Sequence, residues 1–148
     1  MSSYTQILYQ IVFGTKHHAR TMVKSGRDDL FRYMAGILQG KNCYPHAING
    51  VENHLHILLY LHPSVALSDL VKTIKLASSK FIKENQIFPK FAGWQRGYGA
   101  FTYSQDRKDI LIRYIQNQEV HHAKKSFKDE YVGLLVEHDI DFDEKYLC

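Results

Sequence analysis

The segment Asn53-His54-Leu55-His56-Ile57-Leu58-Leu59-Tyr60-Leu61 sets two imidazoles at alternate positions of a run of strand-forming residues. Alternate side chains share one face of a strand, so His54 and His56 lie side by side, about 7 Å apart at their Cα atoms from a rise of ~3.4 Å per residue. They can converge on one ion, and His-hydrophobe-His is a metal-ligand spacing. The pair also reads as two surface histidines on a half-exposed strand. A second group lies in Ile112-Arg113-Tyr114-Ile115-Gln116-Asn117-Gln118-Glu119-Val120-His121-His122. Tyr114 and Gln118 are i and i+4, neighbours on a helix face roughly 6 Å apart along its axis, so an ion held by one would lie near the hydroxyl of the other. A phenol with a pKa near 10 is only about one part in a thousand ionised at pH 7, and spacing by itself does not make Tyr114 a nucleophile. Most helical tyrosines are half-buried packing residues with the hydroxyl in water, and Tyr114 reads so too. His121 and His122 follow on nearly the same side and are placed outside the ligand set.

The elements that must position these groups follow from periodicity. Tyr4 to Phe13 reads as a strand and Lys16 to Gly26 as a basic loop. Leu30, Phe31, Met34, Ile37 and Leu38 recur at helical spacing from Arg27 to Gly40. Asn42 to Leu61 holds two strands, with a turn between Asn49 and Asn53 that the Asn-Gly dipeptide draws towards its earlier end. Ser68 looks like the N-cap of a helix reaching Asn85, with Leu70, Ile74, Ala77 and Phe81 inward; Lys72, Lys75, Lys80 and Lys83 span an arc of roughly 140° on the other side. Beyond a loop marked by Pro89 and Gly93, Trp94 to Tyr103 reads as a strand, Asp106 to Lys125 as one long helix and Phe127 to His138 as a shorter one. This is an α+β, ferredoxin-like βαββαβ pattern: an antiparallel sheet with helices on one face plus C-terminal helices, and the face carrying His54 and His56 left available.

Composition sets the bounds. With 148 residues, 45% hydrophobic and 13% aromatic, the chain is expected to be a single domain, 1–148, and disordered classes are excluded. Cys43 and Cys148 are too few for a disulfide framework. The longest apolar run, Ile57 to Leu61, is far short of a bilayer span, and no secretory signal is visible, so the expected location is cytoplasmic. A net charge of +4 permits a polyanionic partner without requiring one.

Three motifs in one order carry a resemblance. Asn53-His54-Leu55-His56-Ile57-Leu58-Leu59, then Trp94-Gln95-Arg96-Gly97-Tyr98-Gly99-Ala100-Phe101, then Tyr114-Ile115-Gln116-Asn117-Gln118-Glu119 together resemble the single-tyrosine HUH transposases of small bacterial insertion sequences, including the REP-associated tyrosine transposases. The resemblance runs from the first strand to Asp143-Glu144-Lys145-Tyr146. It implies that His54 and His56 are paired metal ligands, Gln118 the third and Tyr114 the nucleophile. It further implies cleavage of single-stranded DNA at hairpin-bearing element ends through a 5′-phosphotyrosine link, with a Mg²⁺ or Mn²⁺ cofactor and a homodimer whose active sites can be composite. Two imidazoles and an amide form a neutral set that leaves the ion's charge for the phosphate. Many relatives have a proline-containing turn before the histidines, where this chain has Val51-Glu52-Asn53.

Substrate contacts are read more broadly. Lys72, Lys75, Lys80 and Lys83 could follow a phosphate backbone, joined by Lys16, Arg20, Arg96 and Arg107, although a lysine face is also an ordinary solvated face. Gly97 and Gly99 could admit a nucleotide against Tyr98 or Phe101 as a stacking platform, or simply mark a strand bend. The rival readings are a non-catalytic single-stranded RNA- or DNA-binding module of the same fold and a zinc hydrolase with Glu52 as its base.

Overall fold

In the computed structural model, which describes residues 3–147, four strands form one antiparallel sheet in the order β2-β3-β1-β4. They are β1 (Leu8–Gly14), β2 (Tyr44–Gly50), β3 (His54–Tyr60) and β4 (Gly99–Tyr103). β3 pairs with β1 so that Val12 faces His56 and Gly14 faces His54, and β1 pairs with β4 so that Gln10 faces Phe101. Residues directly opposite share a face. One face therefore presents Ile11, Phe13, Leu55, Ile57 and Leu59, and packs against α1 (Lys24–Gly40) through Leu30, Met34 and Leu38 and against α2 (Leu67–Asn85) through Leu70 and Ile74. The aliphatic run of β3 thus builds the main core, as its alternation required.

The other face is covered rather than open. α3 (Lys108–Gln116) brings Leu111 and Ile115 onto Leu8 and Leu58, and α4 (Gln118–His122) follows it with Gln118 buried. α5 (Phe127–Glu137) brings Phe127, Tyr131, Leu134 and Leu135 onto Val12 and Phe101. Two glycines of this face make room for α5. A Cβ on Gly14 would lie 2.8 Å from the Phe127 ring, and one on Gly99 would lie 2.7 Å from the Tyr131 ring. Among the described residues, no helix is long and apolar enough to cross a membrane.

Several boundaries differ from the sequence reading: the first strand begins at Leu8, α1 begins at Lys24, and α2 begins at Leu67 with Ser68 inside it and Ala66 as N-cap. Three more differ for a visible reason. The long third helix breaks at Asn117, whose φ of −100° and ψ of 24° leave the helical region. The Asn49 amide donates to the carbonyls of Ile115 at 3.0 Å and Gln116 at 3.1 Å, occupying acceptors the helix would use to continue. The last strand keeps only Gly99–Tyr103, with an isolated bridge between Thr15 and Trp94 before it. Lys75 Nζ draws in the carbonyls of Gln95 at 2.8 Å, Arg96 at 3.3 Å and Gly97 at 2.7 Å, so this stretch wraps a cation instead of joining the ladder. The turn falls at 51–53 rather than at Asn49-Gly50, because Gly50 is held in β2 opposite Leu55.

Candidate active site

The inner layer of the site comes from β1 and β3. His54 and His56 are fully buried beneath the C-terminal helices. His54 Nδ1 lies 2.9 Å from Asn53 Oδ1, and His56 Nδ1 lies 2.7 Å from Gln10 Oε1. Gln10 Nε2 donates to the Tyr103 hydroxyl at 2.8 Å, which orients the amide so that its oxygen faces the imidazole. With an acceptor at each Nδ1, both rings carry their proton there and turn an Nε2 lone pair inward. This is the posture of a metal-binding imidazole.

The outer layer comes from the helices. Glu130, on the first turn of α5, aims Oε1 at three imidazole nitrogens: His54 Nε2 at 3.1 Å, His56 Nε2 at 2.9 Å and His122 Nε2 at 3.0 Å. Its Oε2 accepts from the Tyr114 hydroxyl and, at 3.3 Å, from Gln118 Nε2. Gln118 Oε1 lies 3.2 Å from His54 Nε2. The break at Asn117 turns Gln118 inward, while Lys24 and Arg27 of α1 hold α4 by ion pairs to Glu119 at 3.5 and 3.4 Å. The Tyr114 ring stacks on His121 with centroids 4.5 Å apart, and His54 stacks on Phe127 at 4.0 Å.

Charge in this pocket is unevenly held. Burial pulls His54 down to about 4, against the raising effect of Glu130. Burial would raise Glu130, but its close contacts with the ring nitrogens of His122, His54 and His56 outweigh it and hold the carboxyl far below its usual range. Burial first, then Glu130, push the Tyr114 hydroxyl well above 10. Two imidazole lone pairs therefore face an anionic oxygen at about 3 Å, an arrangement that repels itself unless a positive charge sits among them. The donor atoms of His54, His56, His122 and Glu130 lie within 4.8 Å of one another. Imidazole nitrogen with carboxylate oxygen is a donor set for a borderline divalent ion, so the residues present fit a metal.

The structure thus brings together His54, His56, Tyr114 and Gln118. It also adds two groups the sequence reading left out: His122, which that reading kept away from the ion, and Glu130, which it did not single out. The remaining expected residues are elsewhere. Lys72, Lys80 and Lys83 are exposed on α2, across the sheet from the histidines, and Lys80 pairs with Glu84 at 3.8 Å. Lys75 does not share that solvated face: it is half-buried against the carbonyls of 95–97, and burial lowers it to about 8. Tyr98 is partly buried against the main core under the Lys75 ammonium, and Phe101 is a core residue, so neither forms an open platform. Lys16 and Arg96 are exposed. Glu52 pairs with Arg20 at 3.7 Å, outside the His–Glu cluster, so it is not the base that the hydrolase reading named. A cleft of about 560 Å³ reaches His122 and Phe127 and is lined by Arg20, Lys24, Arg27 and Lys125. Its only sequence signal is the basic character of the 16–26 loop.

A ferredoxin-like sheet with a His-x-His pair on one strand, faced by a tyrosine and a glutamine from the two helices that follow, is the build of a single-tyrosine transposase. The chain belongs to the IS200-like transposase family, whose pattern matches residues 3–118. It is 25% identical over 118 residues to the ISDra2 transposase TnpA of Deinococcus radiodurans, covering 76% of this chain and 84% of that one. Its fold is similar to a solved structure from Deinococcus radiodurans R1 described as a transposase, with a TM-score of 0.63 and 23% identity over 80% of this chain and 95% of the other. It is similar in the same way to a REP-associated tyrosine transposase bound to a REP hairpin, with a TM-score of 0.57 and 15% identity over 82% of this chain and 74% of that one.

Proposed function

We propose that this transposase acts as a single domain, 1–148, cutting and rejoining single-stranded DNA at hairpin-bearing ends, with Tyr114 as nucleophile and His54, His56 and Gln118 as metal ligands. What supports the reading is the meeting of the Tyr114 hydroxyl, both Nε2 atoms and the Gln118 amide on one buried carboxylate. Tyr114 Oη attacks the scissile phosphorus, the bond to the 3′ oxygen breaks, and a 5′-phosphotyrosine remains. The phenol already donates to Glu130 Oε2, so its proton has an acceptor in place, and the departing 3′ oxygen takes a proton from solvent. A divalent cation, Mg²⁺ or Mn²⁺ by family resemblance, would polarise the phosphate and stabilise the charge that develops there. The phosphotyrosine conserves the energy of the phosphodiester, so a second 3′-hydroxyl can rejoin without a nucleotide cofactor.

The nearer DNA contacts in this reading are Arg20, Lys24 and Lys125 at the cleft, with Lys16, Lys72, Lys80, Lys83 and Arg96 as outlying backbone contacts. A homodimer is retained. Composite sites are not required, because Tyr114 meets the histidines of its own chain.

The test is a denaturing gel after incubation with hairpin oligonucleotides and Mg²⁺ or Mn²⁺. A covalent protein–DNA adduct is expected, lost in Tyr114→Phe and on chelation while hairpin binding persists. An adduct that survives Tyr114→Phe moves the nucleophile elsewhere, and binding without any adduct favours a non-catalytic module.

A further inference from the structure

We propose that His122 and Glu130 join His54, His56 and Gln118 as ligands of this chain's metal centre, and that the three imidazoles and the carboxylate make it select Mn²⁺ over Mg²⁺. The inference rests on the reading that the site binds a divalent ion. It goes beyond that reading by adding two residues that lie past the matched segment 3–118.

Three observations carry it. First, the convergence is on a point: the three Nε2 atoms lie at 3.1, 2.9 and 3.0 Å from one oxygen, Glu130 Oε1. A carboxylate oxygen offers two lone pairs and could not serve three N–H donors, and a ring nitrogen without a proton makes no hydrogen bond to it at all. Four ligand atoms gathered within 4.8 Å of one another are what an ion requires. Second, His54 and His56 have their Nδ1 protons engaged by Asn53 and Gln10, leaving Nε2 with a lone pair and no proton for Glu130. Third, Glu130 is 3% exposed, and a carboxylate this deeply buried needs a cationic partner. Among the described residues no lysine or arginine pairs with it; its ionic contacts are His54, His56 and His122.

The set has a chemical consequence. Mg²⁺ prefers oxygen ligands in near-ideal octahedral array and gives up water reluctantly, whereas imidazole nitrogen favours transition ions. Three nitrogens therefore count against Mg²⁺, and the one carboxylate keeps Mn²⁺ well served. Glu130 also lowers the net charge of the centre by one compared with two imidazoles and an amide. Its other oxygen meets the Tyr114 hydroxyl, so α5 links the ligand set to the nucleophile.

The experiment measures metal binding to the DNA-free protein by calorimetry with Mn²⁺ and Mg²⁺, and counts coordinated imidazole nitrogens by pulsed electron paramagnetic resonance of the Mn²⁺ form. Expected are three coupled nitrogens and Mn²⁺ affinity at least about 100-fold above Mg²⁺. His122→Ala and Glu130→Gln should each weaken Mn²⁺ by about 10- to 100-fold or more. Glu137→Gln, exposed on the same helix, should change nothing. Two coupled nitrogens, or full Mn²⁺ affinity in both variants with loss in Gln118→Ala, would overturn the proposal, as would absence of saturable Mn²⁺ binding. The nitrogen count is made on the unaltered protein, so a variant that folds poorly does not shield the claim. Because no DNA is present, the result is separate from the adduct assay: the ligand set can stand without tyrosine chemistry, and the reverse.

Discussion

His54 and His56 are useful because of what stands behind them. Asn53 and Gln10 hold their Nδ1 protons, and Gln10 is itself fixed by Tyr103, whose own hydroxyl burial pushes up to about 12 and so keeps protonated. Gln10→Leu removes the acceptor for His56 and should lower Mn²⁺ affinity about 10- to 100-fold, read by titration of the metal-free protein. The same burial makes the metal-free fold acid-sensitive. His54 titrates near 4 in the folded chain and near 6.5 when unfolded, so below pH 6.5 the unfolded state takes up the proton first. Stability should be full above 6.5 and fall as pH drops towards 4, by roughly 3 kcal/mol from this group. Glu130, ionised well below its usual range, adds to the loss at the acid end. Urea midpoints in the presence of a chelator, measured between pH 7 and 4, would expose a flat profile if the assignment is wrong. Two imidazoles, a phenol and an amide were legible in the chain because strand alternation and helical spacing are local. Glu130 was not, although its place offered a clue: it lies at i+3 from Phe127, inside the stripe that Tyr131, Leu134 and Leu135 continue. A glutamate in an apolar stripe must have a partner.

At the scale of elements, side chains from elsewhere decide where regular structure stops. The Asn49 amide ends α3, and the Lys75 ammonium holds 95–97 out of the sheet. Neither is visible to periodicity, because each depends on a partner at least 20 residues away. The core strands and α1, α2 and α5 were readable, since their apolar spacing alone specifies them. What that spacing could not give was the fate of the second sheet face, which depends on α3 and α5 folding back over it. Lys75→Met removes the ammonium that sits over the Phe13 ring and leaves three carbonyls without their donor. It should cost about 1–3 kcal/mol in chemical denaturation, whereas Lys72→Met, on the exposed side of the same helix, should stay within about 0.5 kcal/mol.

For the whole molecule, the sheet joins a helix pair that stabilises it to a helix group that completes the site. Because the Tyr114 hydroxyl and both histidines meet Glu130 within a single chain, two defective chains should not rescue each other. Mixing Tyr114→Phe with His56→Ala protein under conditions of subunit exchange should give no covalent adduct above background; recovery would mean that the tyrosine serves the partner subunit. The fold has a further consequence in time. Glu130 reaches back 76 and 74 positions along the chain to His54 and His56, and contacts so distant in sequence form late because loop closure must come first. A partly folded chain therefore lacks the assembled cluster of His54, His56 and Glu130, which arises only with the finished protein.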